Sequence, residues 1–261
     1  MIEDISILAG RSRSGEPEAV PRIDLRMGDV VSVVGPTGSG KTTLINDLEL
    51  FAFANTPSGR RILVDGQPAP AEFRDDPARN PIALITQHTT FLSDLPVRRF
   101  LEAHLRIRGA EPARASEVLQ RTLAFANELT GEPIDPENRM TELSGGQTRA
   151  LLIADATLVC DTPIVLLDEV ENAGIHRTRA LELLRQHRKI FIFVTHDPRI
   201  ALLSDYRIVM KGGAVTQLVH THEAERRCAA VVTRLDDALA GLREKLRSGE
   251  VLLGSELEAW A

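Results

Sequence analysis

Short apolar runs alternate along this chain with longer stretches of helical periodicity. Val30-Val31-Ser32-Val33-Val34 is a β-branched run that stops at Gly35, the pattern of a buried strand. From Thr42 to about Phe53, Leu44, Leu48 and Phe51 recur at helical spacing and predict a helix. Arg61-Ile62-Leu63-Val64 reads as a strand entering a turn at Asp65-Gly66, and residues 82–86 as another buried strand, followed by Gln87. From about Leu95 to Leu129 the chain is rich in Arg, Glu, Ala and Leu, which predicts helices broken near Gly109-Ala110-Glu111-Pro112. A loop punctuated by Gly131, Pro133 and Pro136 precedes a helix expected to run through about Leu158. Strands at 164–167 and 190–194 flank a helix over 178–186, and Lys211-Gly212-Gly213 between β-rich runs is a hairpin signal. The alternation implies an α/β core with a helical insertion between Gln87 and Cys160.

After Thr221 the pattern changes. Val232, Leu235, Leu239, Leu242 and Leu246 form the seam of an amphipathic helix. It covers only about two heptads, short of a coiled coil. The seam is expected to pack on its own domain, with a partner contact as the alternative. The chain divides on this reading into residues 1–220 and a C-terminal helix and tail over 221–261.

At 261 residues the chain can bury the core of one large domain. A formal charge of −6 weighs against free nucleic acid as the main partner. Met1-Ile2-Glu3-Asp4 lacks the basic and apolar regions of a signal peptide, and no stretch approaches the ~20 apolar residues of a membrane span. Cys160 and Cys228 are far apart and lack metal-ligand spacing, so free thiols in a reducing compartment are expected.

Gly35-Pro36-Thr37-Gly38-Ser39-Gly40-Lys41-Thr42 sits between a predicted strand and a predicted helix. In that context it reads as a phosphate-binding loop. Glycines let backbone N–H groups curl around phosphate oxygens, and the helix start adds its positive dipole end. Lys41 is expected to reach the β- and γ-phosphates and the Thr42 hydroxyl to ligate Mg²⁺, with Thr43 alongside. Downstream, Ile164-Val165-Leu166-Leu167 delivers Asp168 and Glu169 at a strand end. There Asp168 can hold Mg²⁺ through water while Glu169 polarises the attacking water.

Taken with Leu143-Ser144-Gly145-Gly146-Gln147, these motifs resemble the ATP-binding-cassette (ABC) ATPase family over roughly residues 2 to 220. The resemblance implies a P-loop NTPase (RecA-like) core, an antiparallel β subdomain, and an inserted α-helical subdomain over about 88–160 carrying the signature. It implies ATP and Mg²⁺, with ATP sandwiched between residues 35–43 of one domain and Ser144, Gly145, Gly146 and Gln147 of another. A second ABC domain, in a homodimer or a related chain, must then complete each site. Thr42, Asp168 and the Q-loop glutamine, Gln87, are the implied metal contacts. Gln87 also touches the attacking water, Glu169 is the implied general base, and His196 the switch histidine at the γ-phosphate. The segment from Phe91 to Val97 lies where the family docks a coupling element of its partner.

The chain departs from the family pattern in several places. Val170-Glu171-Asn172-Ala173-Gly174-Ile175 puts an isoleucine, which cannot accept a hydrogen bond, at the D-loop aspartate. Glu171 and Asn172 are the nearest polar substitutes. No Phe, Tyr or Trp precedes Phe51, so the usual adenine-stacking aromatic is missing. Either Arg11 or Arg13 stacks its guanidinium plane on the base, or the segment is a solvated basic loop. Ala150 and Asp155 stand where the signature helix usually carries arginines, a change expected to alter subdomain packing.

The expected activity is ATP hydrolysis at a dimer interface, as the nucleotide-binding subunit powering a transporter whose membrane subunits are separate chains. The alternative is a soluble accessory ABC ATPase driving assembly or activation of a cytosolic protein or metalloenzyme. No nucleic-acid partner is expected. The expected location is cytoplasmic, with peripheral attachment at the inner face of the membrane in the transporter reading.

Overall fold

The computed structural model describes residues 2–76, 79–109, 111–169 and 177–251. Strands β1 (Asp4–Leu8), β2 (Arg22–Arg26), β4 (Arg61–Val64) and β5 (Gln67–Pro68) form an antiparallel sheet in the order β2-β1-β4-β5. Strand β2 alternates strictly, with Ile23 and Leu25 buried between exposed Arg22, Asp24 and Arg26, as one-sided packing requires. A second sheet contains β3 (Val30–Val34), β6 (Ile82–Thr86), β7 (Ile164–Asp168), β8 (Ile190–Val194), β9 (Tyr206–Lys211) and β10 (Ala214–His220). Its order is β10-β9-β3-β8-β7-β6, parallel except for the β9–β10 hairpin.

The parallel strands β3, β6, β7 and β8 are mostly apolar because both of their faces are covered. Val165 and Leu167 of β7, with Phe191 and Phe193 of β8, pack toward the helical side. There they meet α3 (Val97–Ile107), α4 (Pro112–Leu129) and α5 (Gly145–Ala154) through Leu101, Leu105, Leu123 and Leu151. The alternate residues Ile164, Leu166, Ile190 and Ile192 join α1 (Lys41–Glu49) and the inner face of the antiparallel sheet. This is the P-loop NTPase architecture the motifs imply. Helices α2 (Ala71–Asp75), α6 (Arg177–Arg185), α7 (Pro198–Leu203) and α8 (Glu223–Arg247) complete the order.

Several elements differ from the periodicity. Helix α1 stops at Glu49 rather than near Phe53, because Phe51 takes a left-handed φ of 46° and its N–H bonds back to Leu48. The turn drives the Phe51 ring into the core against Phe73. The signature helix does run past Leu158, but its last segment, Asp155–Val159, is a π turn closed by the Cys160 N–H on the Asp155 carbonyl at 2.8 Å.

Helix α8 packs on α7, with Ala229 buried near its start and Arg199 of α7 paired with Asp236 at mid-helix at 3.0 Å. Its seam is only partly covered: Leu235, Leu239 and Leu246 are exposed by 52%, 48% and 60%. Among the described residues no helix is long and apolar enough to cross a membrane. The D-loop segment with Glu171, Asn172 and Ile175 lies outside the described residues.

Candidate functional site

The phosphate loop is built by close backbone approaches. A Cβ on Gly35 would lie 2.3 Å from the Met210 carbonyl oxygen, and one on Gly40 would lie 2.8 Å from the Gly213 Cα. Gly40 also has a φ of 102°, so any side chain there is strained as well as crowded. Helix α1 therefore starts from a glycine with no side-chain cap, leaving its N-terminal dipole end open to an anion. Lys41 is buried to 7% exposure, and its Nζ donates to the carbonyls of Gly35 at 2.9 Å and Pro36 at 3.3 Å. The buried Ser39 hydroxyl in the same turn finds no hydrogen-bond partner among the described residues.

Register does the rest. Parallel pairing sets Thr86, Asp168 and Val194 side by side at the carboxyl ends of β6, β7 and β8, where open α/β sheets bind their ligands. Gln87, Glu169 and His196 follow from that edge. Glu169 has a left-handed φ of 52°, an unfavourable conformation for a side chain with a Cβ, and its N–H is pinned to the Val194 carbonyl at 3.0 Å. Its carboxylate lies 3.5 Å from His196 Nε2.

These parts enclose a cleft of about 310 Å³ lined by Thr37, Gly38, Gly40, Lys41, Thr42, Thr43, Gln87, Asp168, Glu169, Val194, His196 and Arg13. A second hollow of about 330 Å³ adjoins it, bordered by Arg11, Ser12, Pro57, Ser58 and Gly213, with Arg13 and Thr43 shared between the two. The signature residues Ser144, Gly145, Gly146 and Gln147 line neither hollow. They form the start of α5, where Ser144 Oγ accepts the Gln147 N–H at 3.2 Å and Gln147 Oε1 accepts the Ser144 N–H at 2.9 Å. Ser144 and Gly145 are exposed.

One cluster left no trace in the local pattern. The Arg60 side chain is fully buried, with Nη2 at 2.6 Å from Glu18 Oε1 and Nη1 at 2.8 Å from Asp47 Oδ2. Nη2 also donates to the Gly213 carbonyl, while Glu18 accepts the N–H groups of Gly10 and Val215. Burial alone would raise the Glu18 pKa, but hydrogen bonds from Arg60, Gly10 and Val215 outweigh it and hold the carboxyl below its ordinary range. The cluster ties α1, the hairpin turn and the loop carrying Arg11 and Arg13 into one support for the site.

A family model described as ABC transporter matches residues 21–172, more than half of the chain. The chain belongs to the ABC transporter family. An uncharacterized ABC transporter ATP-binding protein of Methanocaldococcus jannaschii is 43% identical over 256 residues, spanning 98% of this chain and 97% of that protein. Among solved structures, a dimeric post-hydrolysis state of an ATP-binding cassette bound to ADP and Pi superposes with a TM-score of 0.62 at 24% identity, over 84% of this chain and 99% of that one. A part of an ABC transporter complex from Clostridium perfringens gives 0.64 at 21% identity, over 95% and 100%. At these identities the structures establish the fold. This ABC protein is a single nucleotide-binding domain and an ATP hydrolase, of a family whose members dimerise and partner with membrane subunits.

Proposed function

We propose that this ABC ATPase is the nucleotide-binding subunit of a membrane transporter and closes on ATP as a dimer with an identical or related cassette. The observation that carries the reading is a split site. Lys41, Thr42, Gln87, Asp168, Glu169 and His196 share one cleft, whereas Ser144 to Gln147 lie outside it on an exposed helix start. A partner's helix start brought over the cleft supplies the N–H groups and dipole that a triphosphate lacks on its open side.

Within one chain, the loop N–H groups and Lys41 grip the β- and γ-phosphates, and Lys41 must exchange its loop carbonyls for them. Arg11 and Arg13 border the adjoining hollow and offer a guanidinium plane to the base in place of an aromatic ring. Thr42, Gln87 and Asp168 line the same cleft, and their hydroxyl, amide oxygen and carboxylate make an all-oxygen set that fits Mg²⁺. When bound, that ion neutralises phosphate charge. Glu169 takes the proton of the attacking water, and His196 orients beside it toward the γ-phosphate.

Beyond Gln87, Phe91 turns inward onto Phe100, with ring centroids 5.0 Å apart, while Leu92 is fully exposed and Leu95 half exposed. This apolar pair next to the cleft glutamine suits a coupling element of the membrane subunit. Affinity purification from membranes and cytosol in parallel tests the assignment. Recovery of a multi-span partner supports it, and recovery of a soluble enzyme alone replaces it with the accessory-ATPase reading.

A further inference from the structure

His104, Asp155 and Cys160 converge in the helical subdomain, and none of them lines the nucleotide cleft. Each offers one donor atom, and the three donors lie within 4.8 Å of one another. His104 Nδ1 is 2.8 Å from Asp155 Oδ1, and Cys160 Sγ is 3.5 Å from Asp155 Oδ2 and 3.9 Å from His104 Nε2. The π turn produces this convergence. In an α-helix, residues five apart point about 140° away from each other. Here the bond from the Cys160 N–H to the Asp155 carbonyl stacks the two residues, and α3 brings His104 across to them. Asp155 also stands where the family resemblance leads one to expect an arginine, so the trio belongs to this chain rather than to the shared ATPase machinery.

We propose that His104, Asp155 and Cys160 bind a divalent cation of the zinc class through one nitrogen, one oxygen and one sulfur, with water as the fourth ligand. Tetrahedral Zn²⁺ with ordinary bond lengths separates such ligands by roughly 3.3–3.6 Å. The 2.8 and 3.9 Å contacts use different ring nitrogens of His104, and with one donor from each residue the three lie within 4.8 Å of one another, so a turn of the His104 ring and side-chain shifts of roughly 1 Å close the site. Binding displaces the proton shared by His104 and Asp155 and the Cys160 thiol proton, both passing to solvent, with no change of oxidation state. The His104 side chain keeps 22% exposure, which leaves a route in. Arg108, whose exposed Nε stands 3.5 Å from His104 Nε2, swings outward as the ion enters. The thiolate favours zinc over Mg²⁺, which takes oxygen ligands, so the site does not compete with the nucleotide's metal. An ion here fastens α3 to the turn that leads into β7, the strand ending at Asp168.

The test uses the purified full chain, stripped with chelator and titrated with Co²⁺ without nucleotide. The expected result is one Co²⁺ per chain with a thiolate-to-cobalt charge-transfer band, which Zn²⁺ bleaches and Mg²⁺ does not. Cys160→Ser removes the band, whereas Cys228→Ser, at the exposed cysteine on α8, keeps it. Asp155→Asn weakens Co²⁺ binding at least about tenfold. Circular dichroism and ATP turnover confirm folding of each variant, and Asp155→Asn decides the matter if Cys160→Ser does not fold. Absence of the band from wild type, its survival in Cys160→Ser, or unchanged affinity in Asp155→Asn overturns the proposal.

Discussion

Arg149 Nη2 donates to the carbonyl oxygen of Gln87 at 2.5 Å while its Nη1 donates to the Gly145 carbonyl at 2.8 Å. One guanidinium thus joins the backbone of the cleft glutamine to the first turn of the signature helix. Losing a hydrogen bond from a charged group, worth about 1.5–3 kcal/mol, corresponds to roughly 10- to 150-fold in rate where the bond is needed in the transition state. Arg149→Met is expected to lower kcat by that factor and leave equilibrium ATP binding at the Lys41 loop unchanged. Steady-state turnover beside nucleotide titration checks this, and an equal loss in both would reduce Arg149 to a structural prop.

Glu169→Gln keeps the shape of the strained strand end but removes the base. Turnover is expected to fall about 10²–10⁴-fold with ATP binding retained. The variant should accumulate an ATP-bound dimer on size-exclusion chromatography. Lys41→Ala should instead weaken nucleotide binding.

Lys41→Ala and Ser144→Arg chains, each inactive alone, should recover activity on mixing. A mixed dimer contains one site with both Lys41 and Ser144 intact. Cross-linked heterodimers that hydrolyse nothing would rule out the shared site, as would full activity from a strict monomer.

Leu92 is fully exposed, so Leu92→Asp adds a charge without disturbing the core. Basal ATPase and melting temperature should stay at wild-type values while capture of the partner is lost. Unaltered capture would move attention to the half-exposed Leu235 and Leu239 on α8.

The buried Arg60–Glu18–Asp47 cluster makes a pH prediction. The Glu18 pKa is lower in the folded chain than its ordinary 4.5, so its contribution is present above about that pH and is lost as the pH falls through the folded value. Glu18→Gln leaves Arg60 with Asp47 alone and should cost about 3–5 kcal/mol at neutral pH, the usual penalty for breaking a buried pair. Urea melts at pH 7 and below pH 4 should show the gap between wild type and variant narrowing in acid.

The chain by itself determined whatever depends on neighbours in sequence. A phosphate loop needs consecutive N–H groups, so its glycines, Lys41 and Thr42 are contiguous and legible. Strands covered on both faces read as mostly apolar runs, which exposed β3, β6, β7 and β8, while in the antiparallel sheet β1 and the edge strands β2 and β5 gave no comparable run. The end of α1 was misread because Leu44, Leu48 and Phe51 keep helical spacing past the point where Phe51 turns to left-handed φ to enter the core. Only the tertiary structure decided which distant groups meet. Strand register brings Gln87, Asp168 and His196 to one edge, and Arg60 reaches Glu18 across 42 positions. The π turn aligns Cys160 with Asp155 where α-helical periodicity points them apart. The physical reason is the same throughout: a turn or a periodic face is set by local dihedrals and burial, whereas buried ion partners and ligand clusters exist only after long loops have closed.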